Sequence, residues 1–296
     1  MSRLRELFGG QEVVLTDGAW GTELQGRGLA MGRPGDPWNL ERPADVLAVA
    51  RAYVGAGSRV ILTNTFRANA VALAAIGLEG RVGEINRRGA QISREAAAAR
   101  PGVRVFGSMG PTGKVLATGE IGPEAVSSAF DEQAKALAAG GVDALLFETF
   151  SEIEEARLAV RAARAAGLPI VVSFAFWRGE ERDRTMTGAS PEDAGAAMAE
   201  EGADAVGANC GEGPEAFPGV CRRLKASSGL PVWIKPNAGL PSLREGRAVY
   251  AMTPEEFGGH AASIVDAGAN FLGGCCGTSP EFIRALAGML ESCASE

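Results

Sequence analysis

The chain has 296 residues, 46% of them apolar, and a formal net charge of −7. That is enough apolar surface for a large core, and an acidic balance without any Lys/Arg run argues against nucleic acid or an anionic membrane surface as a partner. Met1–Phe8 is an amphipathic turn or two broken by Gly9-Gly10, with no apolar run of membrane-spanning length anywhere, so a cytoplasmic setting is expected, in which the five cysteines read as thiols or metal ligands rather than disulfides.

Short β-rich runs, each ending in polar or glycine residues, predict strands at Val13–Thr16, Val60–Thr63, Val103–Gly107, Ala144–Phe147, Ile170–Phe174, Ala205–Ala208, Val232–Lys235 and Phe271–Gly273. Apolar residues at helical spacing predict helices over Pro43–Gly57, Ala125–Gly140, Glu152–Gly167, Pro191–Gly202, Glu255–Gly268 and Glu281–Ser292. Ser190-Pro-Glu-Asp, Thr253-Pro-Glu-Glu and Ser279-Pro-Glu each supply an N-cap, a proline at the first helical position and acids in the first turn. Eight alternations without a linker predict an α/β fold, a single (β/α)8 TIM barrel over 1–296. A doubly wound sheet is the runner-up, but Asp17-Gly-Ala-Trp-Gly-Thr22 after the first strand is no dinucleotide fingerprint.

In a barrel the chemistry sits where strands end. Asp17, Thr63-Asn64-Thr65, Glu148, Asn209-Cys210, Asn237 and Cys275-Cys276 all fall there. Taken alone, Cys275-Cys276 fits metal binding no better than packing or a vicinal disulfide. Cys210 near the sixth strand's end, and Gly273, Gly274 and Gly277 around the pair, shift the balance to a three-sulfur metal site. Three protein ligands leave tetrahedral zinc one open position, as in catalytic sites. Three thiolates also make zinc a poor activator of water but leave a fourth, substrate thiol deprotonated and nucleophilic. Cys221 and Cys293, in helical patterns, read as packing residues. His260, the lone histidine, reads as a helix surface or packing residue.

Val206-Gly-Ala-Asn-Cys210, Pro236-Asn-Ala-Gly239 and Gly273-Gly-Cys-Cys-Gly-Thr278 resemble motifs of the homocysteine S-methyltransferase family. So do Thr16–Thr22, Thr63-Asn-Thr-Phe66 and Phe147-Glu-Thr149, and the likeness runs in order from the first strand to the eighth. The sequence is most similar to the homocysteine-binding module of cobalamin-dependent methionine synthase, through Gly110-Pro-Thr-Gly113, Gly141–Ser151 and Gly277, where enzymes using S-methylmethionine usually carry Arg. The resemblance implies zinc on Cys210, Cys275 and Cys276, homocysteine as methyl acceptor and methionine as product. It also implies methylcobalamin or another corrinoid as donor, carried on a separate corrinoid protein if the chain is complete. S-methylmethionine, S-adenosylmethionine or betaine are donors within the same class, and a non-catalytic thiol-binding subunit is the rival of a different class.

Homocysteine also presents an ammonium and a carboxylate. Glu148 is the candidate for the ammonium, its alternative being a cap on the next helix. Asp17 either shares the ammonium or orients a turn. Backbone N–H groups at Gly18 and Gly21 and the Thr65 hydroxyl are candidates for the carboxylate. Asn237 either offers its carbonyl oxygen to the metal's open position or is an ordinary turn residue. Lys114–Pro123 and Trp177–Arg184 are the loops expected to meet a donor.

Overall fold

Alternation along the β-rich runs decides which side chains enter the barrel and which face the helices. The computed structural model describes residues 3–244 and 247–293. Its strands are β1 (Val14–Leu15), β2 (Val60–Leu62), β3 (Arg104–Met109), β4 (Ala144–Phe150), β5 (Ile170–Phe174), β6 (Ala205–Cys210) and β7 (Val232–Pro236). A hairpin of β8 (Ser242–Arg244) and β9 (Arg247–Val249) follows, and then β10 (Ala269–Leu272). All but the hairpin form one eight-stranded sheet in the order β1-β10-β7-β6-β5-β4-β3-β2, and every pairing in it is parallel. Helices lie between successive barrel strands, as the TIM-barrel prediction requires.

The last joint, between β1 and β2, is closed differently. Arg59 N–H donates to Leu15 O at 2.8 Å, and beyond the end of β1 a side chain takes over, Leu62 N–H donating to Asp17 Oδ2 at 2.7 Å. Ser58 Oγ adds a bond to Thr16 O at 3.3 Å.

Val14, Val60, Leu62, Phe106, Leu146, Val171, Trp233 and Phe271 fill the barrel interior. Alternate residues such as Ile61, Val105, Leu145, Val172, Val206 and Ile234 pack outward against the helices. The N-terminal helix Arg3–Glu6 belongs to the interior core: Leu4 is fully buried in it, and Phe8 meets Phe271 edge-on with ring centroids 5.6 Å apart. This segment plugs the end of the barrel opposite the catalytic face. Leu4→Ala is therefore expected to cost about 2 kcal/mol, the low end for a buried leucine, because a chain end can relax. Urea unfolding would show it as a lower midpoint with an unchanged slope.

Several boundaries differ from the sequence reading. β3, β4 and β6 run on to Met109, Phe150 and Cys210, because Ser108 and Asn209 stay in ladder register, opposite Leu146 and Lys235. Helices Val82–Ala97 and Phe217–Ser228 were not among those predicted, since interspersed Gly, Arg and Ser blur their apolar stripes. The helix expected over Glu255–Gly268 is two, Pro254–Gly259 and Ala261–Asp266, parted at His260 after Gly258-Gly259, which lower helix propensity. Among the described residues, no helix is long and apolar enough to cross a membrane.

Candidate active site

Above the apolar interior layer, the next inward-facing position on five consecutive strands is polar or charged: Ser108, Glu148, Ser173, Asn209 and Lys235, all buried. Of these, Ser108, Glu148 and Lys235 form the floor of a cavity of about 560 Å³ at the C-terminal ends of the strands, while Ser173 and Asn209 are fully buried outside its lining. Its walls include Trp20, Phe66, Trp177 and Tyr250, and Cys210, Cys275 and Cys276 line it.

The three cysteines predicted as ligands come together. Their sulfur atoms all lie within 4.8 Å of one another, with Cys210 and Cys275 Sγ 3.4 Å apart. A tetrahedral zinc with Zn–S bonds of ~2.3 Å needs sulfurs about 3.8 Å apart, so the set fits that ion without large rearrangement. Cys210 ends β6 with φ 66, and Thr149, at φ 67, sits beside it with Oγ1 3.9 Å from its sulfur. Non-glycine residues in this left-handed region are uncommon and store strain, here at two neighbouring positions of one site. Asn209 holds the arrangement: its Oδ1 accepts from Thr149 N (2.9 Å) and Ser173 Oγ (2.6 Å). Its Nδ2 donates to Thr149 Oγ1 (2.7 Å) and lies 3.3 Å from Cys210 Sγ.

The turn carrying Cys275-Cys276 is fixed by Cys275 N–H to Pro236 O (2.7 Å) and by Thr278 Oγ1 to Cys275 O (2.7 Å). Gly277 is left-handed at φ +84, and a Cβ there would lie 2.3 Å from Tyr250 Cγ, so the ring rests on the bare backbone. Hydrogen bonds from Cys210 and Cys275 hold the Cys276 thiol down at about 3. Donation and burial push Cys210 well up, and Cys275 rises to about 12 as it donates to Cys276, although its bond to Cys210 opposes the shift.

Glu148 lines the cavity, and its Oε1 accepts from Ser108 Oγ. It does not cap the following helix, whose N-cap is Glu152. Burial raises its carboxyl to about 7, with Lys235 opposing and Cys275 reinforcing the shift. Asp17 is fully buried and already occupied. Its Oδ1 pairs with Lys235 Nζ at 2.5 Å, while Oδ2 accepts from Trp20 Nε1 (2.8 Å) and from the Leu62 amide. Gly18 lines the cavity and abuts Tyr53 and Thr278, where a Cβ would meet atoms at 2.8 Å. The Thr65 hydroxyl donates to Ser108 O at 2.8 Å, so its single proton is engaged with backbone. Asn237 Nδ2 donates to Gly211 O at 2.7 Å, while its Oδ1, buried in the cavity lining, has no hydrogen-bond partner. An orphaned carbonyl oxygen beside three thiols suits a vacant ligand position.

The sequence reading gives Lys235 and Tyr250 no role and places Asn209 at the catalytic face without assigning it one. The signal for Lys235 and Asn209 was register: once Trp233 and Gly207 face inward, so do they. Tyr250 could not be placed, because it follows the hairpin of β8 and β9, which the strand–helix alternation does not foresee.

Of the remaining residues, His260 lies outside the cavity lining with Nε2 3.8 Å from Glu215. Cys221 is buried, its thiol bonded to Ala267 O at 3.5 Å. The side chain of Cys293 lies outside those described. In the loop Trp177–Arg184, the backbones of Arg178 and Arg184 exchange hydrogen bonds of 2.9 and 3.0 Å, and the Arg182 side chain pairs with Glu212 at 3.0 Å. In the loop Lys114–Pro123, Glu152 accepts from the Leu116 and Ala117 amides at 2.9 and 3.1 Å.

The sequence model of the family described as homocysteine S-methyltransferase matches residues 14–290. The methionine synthase of Mycobacterium leprae is 34% identical over 298 residues, covering 96% of this chain and 25% of that protein. Its counterpart in Mycobacterium tuberculosis is 34% identical over 292 residues, covering 94% and 24%. The chain thus spans about a quarter of the length of these curated relatives. Among solved structures, the metallated form of the homocysteine methyltransferase MmuM from Escherichia coli matches with a TM-score of 0.80 at 26% identity, covering 96% of this chain and 99% of that one. Its apo form matches with a TM-score of 0.77 at 25% identity, covering 97% and 99%.

Proposed function

The chain belongs to the homocysteine S-methyltransferase family, and we propose that it transfers a methyl group to the thiol of homocysteine, yielding methionine, with zinc on Cys210, Cys275 and Cys276. The observation that carries this reading is three sulfurs within 4.8 Å of one another, at a cavity with a buried carboxyl on its floor. Zinc held there would supply a substrate thiol that is deprotonated at neutral pH yet still nucleophilic. Glu148 receives the ammonium of homocysteine, and Asn209 and Thr149 keep Cys210 in position. Trp20, Phe66, Trp177 and Tyr250 shield the reacting atoms from water. Transfer is an in-line displacement: the S–CH₃ bond forms as the donor's bond to that methyl breaks, the electron pair leaves with the donor, and the thiol proton goes to solvent.

The donor we favour is a methylcorrinoid. Identity is higher to methionine synthases, at 34%, than to MmuM, at 26%. The Tyr250 ring also occupies the space above Gly277 where a longer side chain would have to stand. The test is a panel of methylcobalamin, S-methylmethionine, S-adenosylmethionine and betaine with homocysteine and zinc-loaded protein, scored by methionine formed. Methylcobalamin is expected to be consumed, slowly alone and faster on a carrier corrinoid protein. Efficient turnover with S-methylmethionine, and none with any methylcorrinoid, would overturn the donor while leaving thiol methylation standing.

A further inference from the structure

The floor of the cavity contains an ion pair that methyl transfer itself does not call for. Lys235 is 2% exposed, sits among Trp233, Ile234 and Pro236 on β7, and lines the cavity. Its Nζ is 2.5 Å from Asp17 Oδ1 and 5.9 Å from the centre of the Trp233 ring. Burial disfavours its charge, but Asp17 and Glu148 more than compensate, so Lys235 remains an ammonium. Burying a lysine–aspartate pair brings little net stability compared with an apolar pair of the same size. A fold gains little from it; a ligand that needs a positive charge gains much.

Asp17 and Lys235 cancel, which leaves Glu148 as the floor's unbalanced charge. Asp17 already accepts three hydrogen bonds, is fully buried and does not line the cavity, so it is poorly placed to take a substrate ammonium as well. Thr65, a candidate donor to the substrate carboxylate, has given its proton to Ser108 O. Lys235 carries three donors, of which Asp17 takes one. Glu148 on β4 and Lys235 on β7 face the same cavity from different sides of the barrel.

We infer that Lys235 is a specificity-determining residue, its ammonium reading the anionic end of the thiol substrate while Glu148 reads the cationic end. The inference rests on the thiol-methylation reading above and deepens it. The pocket selects a zwitterionic thiol, and discriminates against thiols that lack the carboxylate.

The test is calorimetric binding of three thiols to zinc-loaded protein, which needs no methyl donor. Homocysteine carries both charges, 4-mercaptobutanoate only the anion, and 3-aminopropane-1-thiol only the cation. In Lys235→Met, binding of homocysteine and 4-mercaptobutanoate is expected to weaken ~10–100-fold relative to 3-aminopropane-1-thiol, the range for loss of one charge-assisted bond. Because Lys235→Met leaves Asp17 buried without its partner, the double variant Asp17→Asn/Lys235→Met is measured too, with the same change in ratio expected. Three affinities that move together in both variants, or stay unchanged, would overturn the role of Lys235 and leave the homocysteine reading intact. Wild-type protein that binds none of the three thiols would overturn both.

Discussion

Alanine at Cys210, Cys275 or Cys276 is expected to strip zinc from the protein and abolish methyl transfer to homocysteine, whereas Cys221→Ala leaves the metal in place. Each of the three offers one sulfur to a common point, and their separations allow one ion to touch all of them. With one gone, two sulfurs remain on a centre that binds its substrate as a further ligand, so the loss should exceed the ~10–100-fold that removal of an outer-shell partner costs. Cys221 is buried behind the barrel wall, burial pushes its thiol up to about 12, and its sulfur bonds a backbone carbonyl. Metal analysis of purified variants, paired with methionine formation, reads both halves of the expectation. Zinc retained at full occupancy in any of the three site variants, or lost equally in Cys221→Ala, would show that the metal lies elsewhere. Chelation should abolish activity in the same way and zinc should restore it, provided the thiols are kept reduced.

Glu148→Gln should weaken homocysteine binding by on the order of 1.5–3 kcal/mol at pH 8, with zinc content unchanged. Its sign with pH is set by the raised carboxyl. Burial, with Cys275 and Asp17 adding repulsion, lifts Glu148 to about 7, so below that pH the empty site holds a neutral acid. A neutral acid attracts an ammonium far less than a carboxylate does. The wild-type advantage over Glu148→Gln should therefore be full above pH 7 and shrink as pH falls, approaching tenfold per unit. Comparing wild type with variant at each pH removes the ionisation of the substrate thiol, which both proteins share. An advantage that is the same at pH 5.5 and pH 8 would take Glu148 out of ammonium recognition.

The barrel was legible in the sequence because its punctuation is local. Proline after a Ser or Thr cap, acids in the first turn and a closing glycine mark helices such as Pro191–Glu200, and the β-branched runs between them can only be strands. The cysteines were legible for a different reason: thiols at the ends of two strands, surrounded by glycine, have few structural uses. Strand ends were less legible, since Ser108, Glu148 and Asn209 look like loop residues until the ladder shows them still in register. Charge pairing was not legible at all. Asp17 and Lys235 are 218 residues apart, and only barrel closure brings them together. That closure engages Asp17 with Lys235, a contact that neither its place in the chain nor the family resemblance, which favours ammonium sharing over a turn role, brings out. The β8–β9 hairpin and Tyr250 escaped notice because nothing in a strand–helix alternation asks for them.

The seam between β1 and β2 is completed by the Asp17 carboxylate bonded to the Leu62 amide, and the other oxygen of that carboxylate holds Lys235. One side chain is thus both a rivet of the scaffold and a support of the recognition surface. Drift in substrate preference should not begin at position 17 with an apolar residue, because a replacement without an acceptor oxygen frees Lys235 and loosens the hoop together. Ser108, which lines the cavity and whose hydroxyl bonds only to Glu148 among neighbouring side chains, carries no such double duty. Divergence toward new thiols should therefore enter through that serine, with the aspartate left as a fixed hinge-pin around which the rest is exchanged.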